Sequence, residues 1–303
     1  MMEIVFTGNI ATCGREEFSR SLRTPHQVRV YPCELADTEV LVGAPITRRM
    51  MEQAPKLRLV HAAGAGCDSI AMDALPDGVR VCNVFHHERA IAEYVVMTML
   101  ALDRELFRQD RQLRKGIWDG SCVQGPPRVS ELTGRTLGIV GFGHIGREVA
   151  RVAAAFDLRI LSLRSRHTRP ELETLLAESD FIVVSCPLTD KTRGMIGAAE
   201  LAKMRPAASL INVGRGEVVE EAALFEALRD RKIRSAAIDV WYQYPRDGVE
   251  REPSRFPFGE LDNVILTPHS SAWTDRVVSL RFRDIAANID RLAAGEPLVN
   301  VVR

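Results

Sequence analysis

Thr136-Leu137-Gly138-Ile139-Val140-Gly141-Phe142-Gly143-His144-Ile145-Gly146 reads as a buried apolar strand running directly into a glycine-rich turn. Arg147–Phe156 then carries a helical pattern. G-x-G-x-x-G is a weak signal by itself, but between a strand and a helix it describes a dinucleotide-binding turn. Gly141 permits the tight turn, Gly143 lets backbone N–H groups approach a pyrophosphate, and Gly146 allows the helix to pack closely on the strand. His144 and Ile145 belong to the turn ahead of the helix, whose N-terminus carries partial positive charge toward a phosphate.

The next strand, Arg159-Ile160-Leu161-Ser162-Leu163, bears on the choice of cofactor. An acidic residue at its end would bind a free ribose 2′-hydroxyl. Arg164-Ser165-Arg166-His167 stands there instead, with no carboxylate. Two guanidiniums and a hydroxyl suit a 2′-phosphate. The reading is therefore NADP in preference to NAD.

Outward from this unit, short β-branched runs alternate with helical stretches over most of the chain, the pattern of parallel sheets covered on both faces. Before it lie strand candidates at Glu3–Thr7, Val28–Val30, Val40–Val42, Leu59–Ala62 and Val79–Val84, then a long apolar helix at Glu88–Phe107. After it come Phe181–Ser185, Ser209–Val213, Ala236–Val240 and Val264–Leu266, and a last helix at Asp275–Ala294. A chain of 303 residues is longer than one core normally serves, so two domains are expected. Charges balance at 40 Lys+Arg against 40 Asp+Glu, which argues against nucleic-acid or polybasic membrane binding. No apolar run approaches the ~20 residues that span a bilayer. The six cysteines are scattered without C-x-x-C spacing, so neither a metal site nor a disulfide framework is expected. The opening Met1-Met2-Glu3-Ile4 shows no export signal, and a cytoplasmic protein is expected.

Three later segments bring polar groups to strand ends. Asn212-Val213-Gly214-Arg215-Gly216 sets an arginine between two glycines, Ile238-Asp239-Val240-Trp241 ends a strand with a carboxylate, and Thr267-Pro268-His269-Ser270-Ser271 follows another with a histidine. Ligands in open α/β sheets bind beyond the carboxyl ends of the strands. These groups should therefore face the cofactor.

Taken with Ala63-Gly64-Ala65-Gly66-Cys67-Asp68, Ala92-Glu93 and Cys186-Pro187-Leu188-Thr189-Asp190-Lys191-Thr192, the chain resembles the D-isomer-specific 2-hydroxyacid dehydrogenases. The resemblance implies an α/β fold of two doubly wound parallel-sheet domains, flavodoxin-like and Rossmann, with an interdomain cleft. It implies a discontinuous substrate domain at 1–86 and 271–303, and a dinucleotide-binding domain at 87–270. Arg215 would grip the carboxylate and carbonyl oxygen of a 2-oxoacid. His269 would be the general acid in reduction and the base in oxidation, as hydride passes between nicotinamide and the carbonyl carbon. Backbone N–H groups at Gly64, Ala65 and Gly66 would hold the substrate carboxylate. Cys186, Pro187, Thr192, Val213, Gly214 and Asp239 would line the cofactor, Asp239 at the nicotinamide carboxamide. The implied activity is NADP(H)-dependent reduction of a 2-oxoacid of the glyoxylate or hydroxypyruvate type, in a homodimer.

One departure stands out. The family's histidine is usually paired with a glutamate five residues after the aspartate, where this chain has Tyr244, preceded by Gln243. A carboxylate beside an imidazole raises its pKa and fixes its tautomer, and a phenol supplies no such charge. The partner is either Tyr244 or a carboxylate, Glu250 or Glu252, folding back from the stretch Arg246–Phe258. Tyr242, Tyr244, Trp273 and His86-His87-Glu88 are candidates for the pocket mouth. Two other functions fit less of the sequence: a dehydrogenase of a small anion such as formate or phosphite, and a dinucleotide-sensing corepressor-like protein.

Overall fold

The computed structural model describes residues 1–245 and 249–303. Arg246, which opens the stretch expected to offer a carboxylate to His269, lies outside the described residues. The chain divides into two compact units, Met1–His86 with Thr274–Arg303, and His87–Trp273.

The first unit contains β1 (Glu3–Thr7), α1 (Gly8–Cys13), α2 (Arg15–Ser21), β2 (Gln27–Val30), β3 (Thr38–Gly43), α3 (Arg48–Glu52), β4 (Leu59–His61) and β5 (Arg80–Cys82). Its five strands are ordered β2-β1-β3-β4-β5 and pair in parallel. That is the flavodoxin-like order. One face packs Ile4, Phe6, Val40 and Val42 against the chain's last helix, and the other packs Val5, Leu41 and Val60 over α3. Phe282 of that last helix stacks on Phe6 at 6.2 Å between ring centroids. A Cβ on Gly14 would collide with the Phe282 ring, so the glycine lets the helix seat. Replacing so enclosed a phenylalanine by alanine costs about 3–5 kcal/mol.

In the second unit the elements are α4 (Glu88–Asp103), α5 (Leu106–Leu113), β6 (Thr136–Val140), α6 (His144–Ala153), β7 (Arg159–Leu163), α7 (Arg169–Glu178), β8 (Phe181–Val184), α8 (Ala198–Leu201), β9 (Ser209–Asn212), α9 (Glu221–Arg229), β10 (Ser235–Ile238) and β11 (Val264–Leu266). The closing helix α10 (Asp275–Ala294) belongs to the first unit. The sheet order is β11-β10-β9-β8-β6-β7, with all neighbours parallel. Every residue of β6, β8, β9 and β10 is buried, which is why these strands read as mainly apolar runs without polar–apolar alternation. The chain leaves β6 for β7 on one side and returns to β8 on the other, making a topological switch point at the carboxyl end of β6.

The long apolar helix expected at Glu88–Phe107 is two helices. Glu105 takes a left-handed backbone, φ 50°, between α4 and α5. Asp103, 1% exposed at the end of α4, anchors the break by accepting from Arg135 and, at 3.3 Å, from Arg234. Among the described residues, no helix is long and apolar enough to cross a membrane.

Candidate active site

The glycine turn sits at the switch point. Gly141 has φ +104°, and a Cβ there would lie 2.5 Å from the Cys186 amide nitrogen, so the turn presses directly on the loop leaving β8. A Cβ on Gly146 would meet the Gly141 carbonyl oxygen at 2.4 Å, which fixes how closely α6 approaches the strand. Gly143, by contrast, faces open space. It is the N-cap of α6 and offers no side-chain cap to the first turn, and the positive end of such a helix suits an anion. The residues present therefore fit a dinucleotide diphosphate. His144, the first residue of α6, is exposed, while Ile145 is half-buried.

Past β7, Arg164, Ser165 and Arg166 are all exposed. The Gly141 and Phe142 amides both donate to the Leu163 carbonyl, joining this strand end to the glycine turn. The Arg164 guanidinium lies 5.9 Å from the Phe142 ring centroid, a cation–π contact that leaves its N–H edge usable. On the loop after β8, Cys186 is buried and its thiol is pushed up to about 11, so it stays protonated. Pro187 is exposed, and the Thr192 hydroxyl donates to the Pro187 carbonyl at 2.7 Å. Val213 and Gly214 are buried, and Gly214 has no room for a side chain against the Cys186 carbonyl.

Asn212 shapes the turn that presents Arg215. Its Oδ1 accepts from the Gly214 amide and its Nδ2 donates to the Arg215 carbonyl. The half-buried Arg215 guanidinium donates back to the Gly214 carbonyl at 2.8 Å.

Asp239 is fully buried, and its partners are those of a brace. Oδ1 accepts from the Thr267 hydroxyl at 2.6 Å and the Ser270 amide at 2.8 Å, and Oδ2 accepts from the Ser271 amide at 3.1 Å. Thr267 spends its proton on Asp239, so the Tyr94 hydroxyl donates to Thr267 Oγ1 at 2.7 Å. Burial pushes that tyrosine up to about 12, keeping it a donor. Trp241 Nε1 donates to the Thr267 carbonyl. His269, held between these anchors, is exposed and has φ +58°, a strained conformation for a residue other than glycine. Thr267 and Tyr94 carry this arrangement without having been singled out in the sequence. Tyr94 is 173 positions from Thr267, and nothing local marks it.

Tyr244 stands beside His269, with ring centroids 5.6 Å apart. Its hydroxyl accepts from the Trp241 amide at 3.0 Å. Burial holds the phenol above its ordinary range, against the opposing pull of the Trp241 amide and the Arg215 charge. Glu250 and Glu252 are both exposed. Tyr242 donates to the Val219 carbonyl, and Trp273 is 47% exposed. A cavity of about 260 Å³ is lined by Arg215, Gly216, Glu217 and the Trp241–Tyr244 run, together with Arg251, which sequence reasoning did not single out.

In the first unit, the Gly64–Gly66 turn follows β4. Asn83 donates to the Ala65 carbonyl and the Val84 amide to that of Gly64. Arg281 of α10 adds a guanidinium 3.9 Å from where a Gly64 Cβ would stand. His86 pairs with Asp284 at 2.7 Å, and His87 is the buried N-cap of α4.

Residues 96–271 match the family described as D-isomer specific 2-hydroxyacid dehydrogenase, NAD binding domain. A glycerate dehydrogenase from Methylorubrum extorquens is 31% identical, the alignment covering 96% of this chain and 98% of that protein. The chain belongs to the D-isomer-specific 2-hydroxyacid dehydrogenases.

Members of this family are NAD(P)-dependent oxidoreductases. A D-3-phosphoglycerate dehydrogenase from Methanocaldococcus jannaschii is 34% identical over 89% of this chain, which spans only about half (52%) of that relative's length. Among solved structures, an NADPH-dependent glyoxylate/hydroxypyruvate reductase from Sinorhizobium meliloti, in complex with NADP and sulfate, superposes with a TM-score of 0.82 at 25% identity, over 100% of this chain and 98% of that one. The dehydrogenase fold thus accounts for both sheets, in keeping with two parallel α/β domains.

Proposed function

We propose that this chain reduces a small 2-oxoacid to its D-2-hydroxyacid, or runs the reverse reaction, with NADP(H) in preference to NAD(H). Support comes from the family, from relatives named for glycerate, glyoxylate and hydroxypyruvate, and above all from one juxtaposition: Tyr244 lies against the His269 ring and lines the same cavity as Arg215.

In this reading the cofactor, when bound, supplies the hydride. Gly141, Gly143, His144, Ile145 and Gly146 hold its diphosphate, and Arg164, Ser165 and Arg166 hold the 2′-phosphate. Cys186, Pro187, Thr192, Val213 and Gly214 wall the remainder. The Arg215 guanidinium binds the oxoacid carboxylate and polarises its carbonyl oxygen. His269 delivers a proton to that oxygen in reduction and removes it in oxidation. Gly64, Ala65 and Gly66 are assigned to the substrate carboxylate through their N–H groups. Tyr244 positions the imidazole ring in place of a carboxylate. Asp239 is assigned to holding the His269 loop, since its oxygens are occupied by Thr267, Ser270 and Ser271.

A homodimer is part of the proposal. Leu106, Phe107 and Leu113 of α5, with Ile117, Trp118 and Val123 beyond it, are all about half exposed or more, an apolar density that suits a second copy. Six unpaired cysteines suit a reducing cytoplasm.

The deciding assay follows oxidation of NADPH and NADH with glyoxylate, hydroxypyruvate and phenylpyruvate, and reduction of NADP⁺ and NAD⁺ with formate and phosphite. Turnover of glyoxylate and hydroxypyruvate with NADPH is expected, and that of phenylpyruvate should be weaker. Failure of every 2-oxoacid while formate or phosphite reduces NADP⁺ would transfer the site to small-anion oxidation.

A further inference from the structure

The cavity beside Arg215 has more cationic capacity than one oxoacid headgroup uses. Most polar groups on its walls are already committed. Tyr242 donates to Val219, the Tyr244 hydroxyl accepts from the Trp241 amide, and the Trp241 indole donates to Thr267. Glu217 is held by Arg193. Gly216 forms the floor, since a Cβ there would lie 2.5 Å from the Trp241 carbonyl oxygen, and the turn carrying Arg215 therefore packs backbone against backbone. Besides the Tyr244 O–H, two side-chain heads remain uncommitted among the described residues: the Gln243 carboxamide and the Arg251 guanidinium, both lining the cavity with Arg215. At about 260 Å³ the space is near the lower end for small-molecule pockets, so it suits a short substrate tail better than an aromatic one.

We propose that Arg251, with Gln243 beside it, reads a second anionic group at the far end of the substrate, so that the preferred substrates are 2-oxoacids ending in a carboxylate or phosphate. This rests on the oxoacid reading above and narrows it. The guanidinium offers a planar fork of donors matched to either anion, while the carboxamide N–H₂ adds a neutral donor that discriminates little between them. Glu217, the one acidic group among the described lining residues, is paired with Arg193.

The test is initial-rate kinetics with NADPH on the full chain. Glyoxylate serves as the tailless substrate, oxaloacetate and 2-oxoglutarate carry a second carboxylate, and 3-phosphohydroxypyruvate carries a phosphate. Wild type is compared with Arg251→Ala and Arg251→Lys, each checked by thermal melting. Arg251→Ala is expected to raise KM for the doubly anionic acids about 10- to 100-fold, the loss typical of a charge-assisted pair, and to leave glyoxylate within about twofold. Arg251→Lys should recover part of that loss. The carboxylate and phosphate arms show which anion is read. An equal loss on glyoxylate, or no loss on any acid, overturns the inference while the oxoacid reading stands. A wild-type enzyme that reduces none of the acids overturns both.

Discussion

The Tyr244 ring is tilted 52° to the His269 ring, with centroids 5.6 Å apart, and its hydroxyl oxygen accepts from the Trp241 amide. The contact between the two residues is thus made through the ring face and edge, with the phenol oxygen turned to the backbone. Three substitutions separate the parts of this contact. Tyr244→Phe keeps the ring and should hold kcat within about threefold, with a stability loss of about 1 kcal/mol for the unmet amide. Tyr244→Ala removes the ring and should lower kcat about tenfold or more, as the imidazole loses its orientation. Tyr244→Glu puts an anion beside the imidazole, which favours its protonated form. The reductive pH–rate profile of Tyr244→Glu should therefore extend to higher pH than that of wild type. An unchanged profile would separate Tyr244 from the proton transfer.

Asp239 and the Ser271 amide make the second decisive pair. Asp239→Asn would turn an amide N–H₂ toward Ser271 N–H, setting donor against donor in a fully buried place. A loss of about 2 kcal/mol follows from one unsatisfied buried donor. Because the loop it braces carries His269, kcat should fall about 100-fold, the effect of a small misplacement of a reacting group. The affinity for NADPH, measured by fluorescence titration, should change little. A large loss of NADPH affinity with kcat intact would instead make Asp239 a cofactor contact.

Local pattern accounts for what could be read in advance. β6, the glycine turn and α6 are contiguous, and burial of all five β6 residues leaves an apolar signature that needs no partner to recognise. The bounds of α10 were equally legible, because Thr274 caps its start, accepting from the Val277 amide, and Gly295 ends it with φ +70°. The break between α4 and α5 was not, because it depends on Asp103 meeting Arg135 and Arg234 from 32 and 131 positions away. The same holds at the site. Arg215, Asp239 and His269 were visible as residue types at strand ends. What Asp239 does there depends on Tyr94 and Thr267, and what Arg251 lines depends on the turn after Arg215, and neither relation has a local sequence signal.

The cofactor preference turns on two exposed guanidiniums at the end of β7. Arg164→Ala combined with Arg166→Ala should raise KM for NADPH about 100-fold, since each charge-assisted contact to a phosphate contributes about 1.5–3 kcal/mol before solvent screening. NADH has no phosphate at that position, and its KM should stay within about threefold. Steady-state kinetics with both cofactors measures the ratio. A double variant that keeps the wild-type ratio would remove these arginines from the cofactor site.

A buried histidine in the first unit makes the fold sensitive to acid. His61 on β4 is fully buried, its Nδ1 against the Ala62 carbonyl and its Nε2 accepting from Asn288 Nδ2 at 3.1 Å. Asn288 also holds the chain end, donating to the Val299 carbonyl and accepting from the Val299 amide. Desolvation drives the imidazole from its ordinary 6.5 down to about 4, against the Ala62 carbonyl and the Asp284 charge, which work the other way. The neutral ring is therefore the folded form, and the unfolded chain takes up the proton first. Stability from this group is complete above about pH 6.5 and is lost as pH falls from there toward 4, by about 3 kcal/mol in all. Urea denaturation of wild type and His61→Gln at pH 7, 6, 5 and 4 isolates this share, because the carboxylates common to both cancel in the difference. The gap between them should shrink steadily over that range. A gap independent of pH would mean that His61 enters the folded state with its ordinary proton affinity.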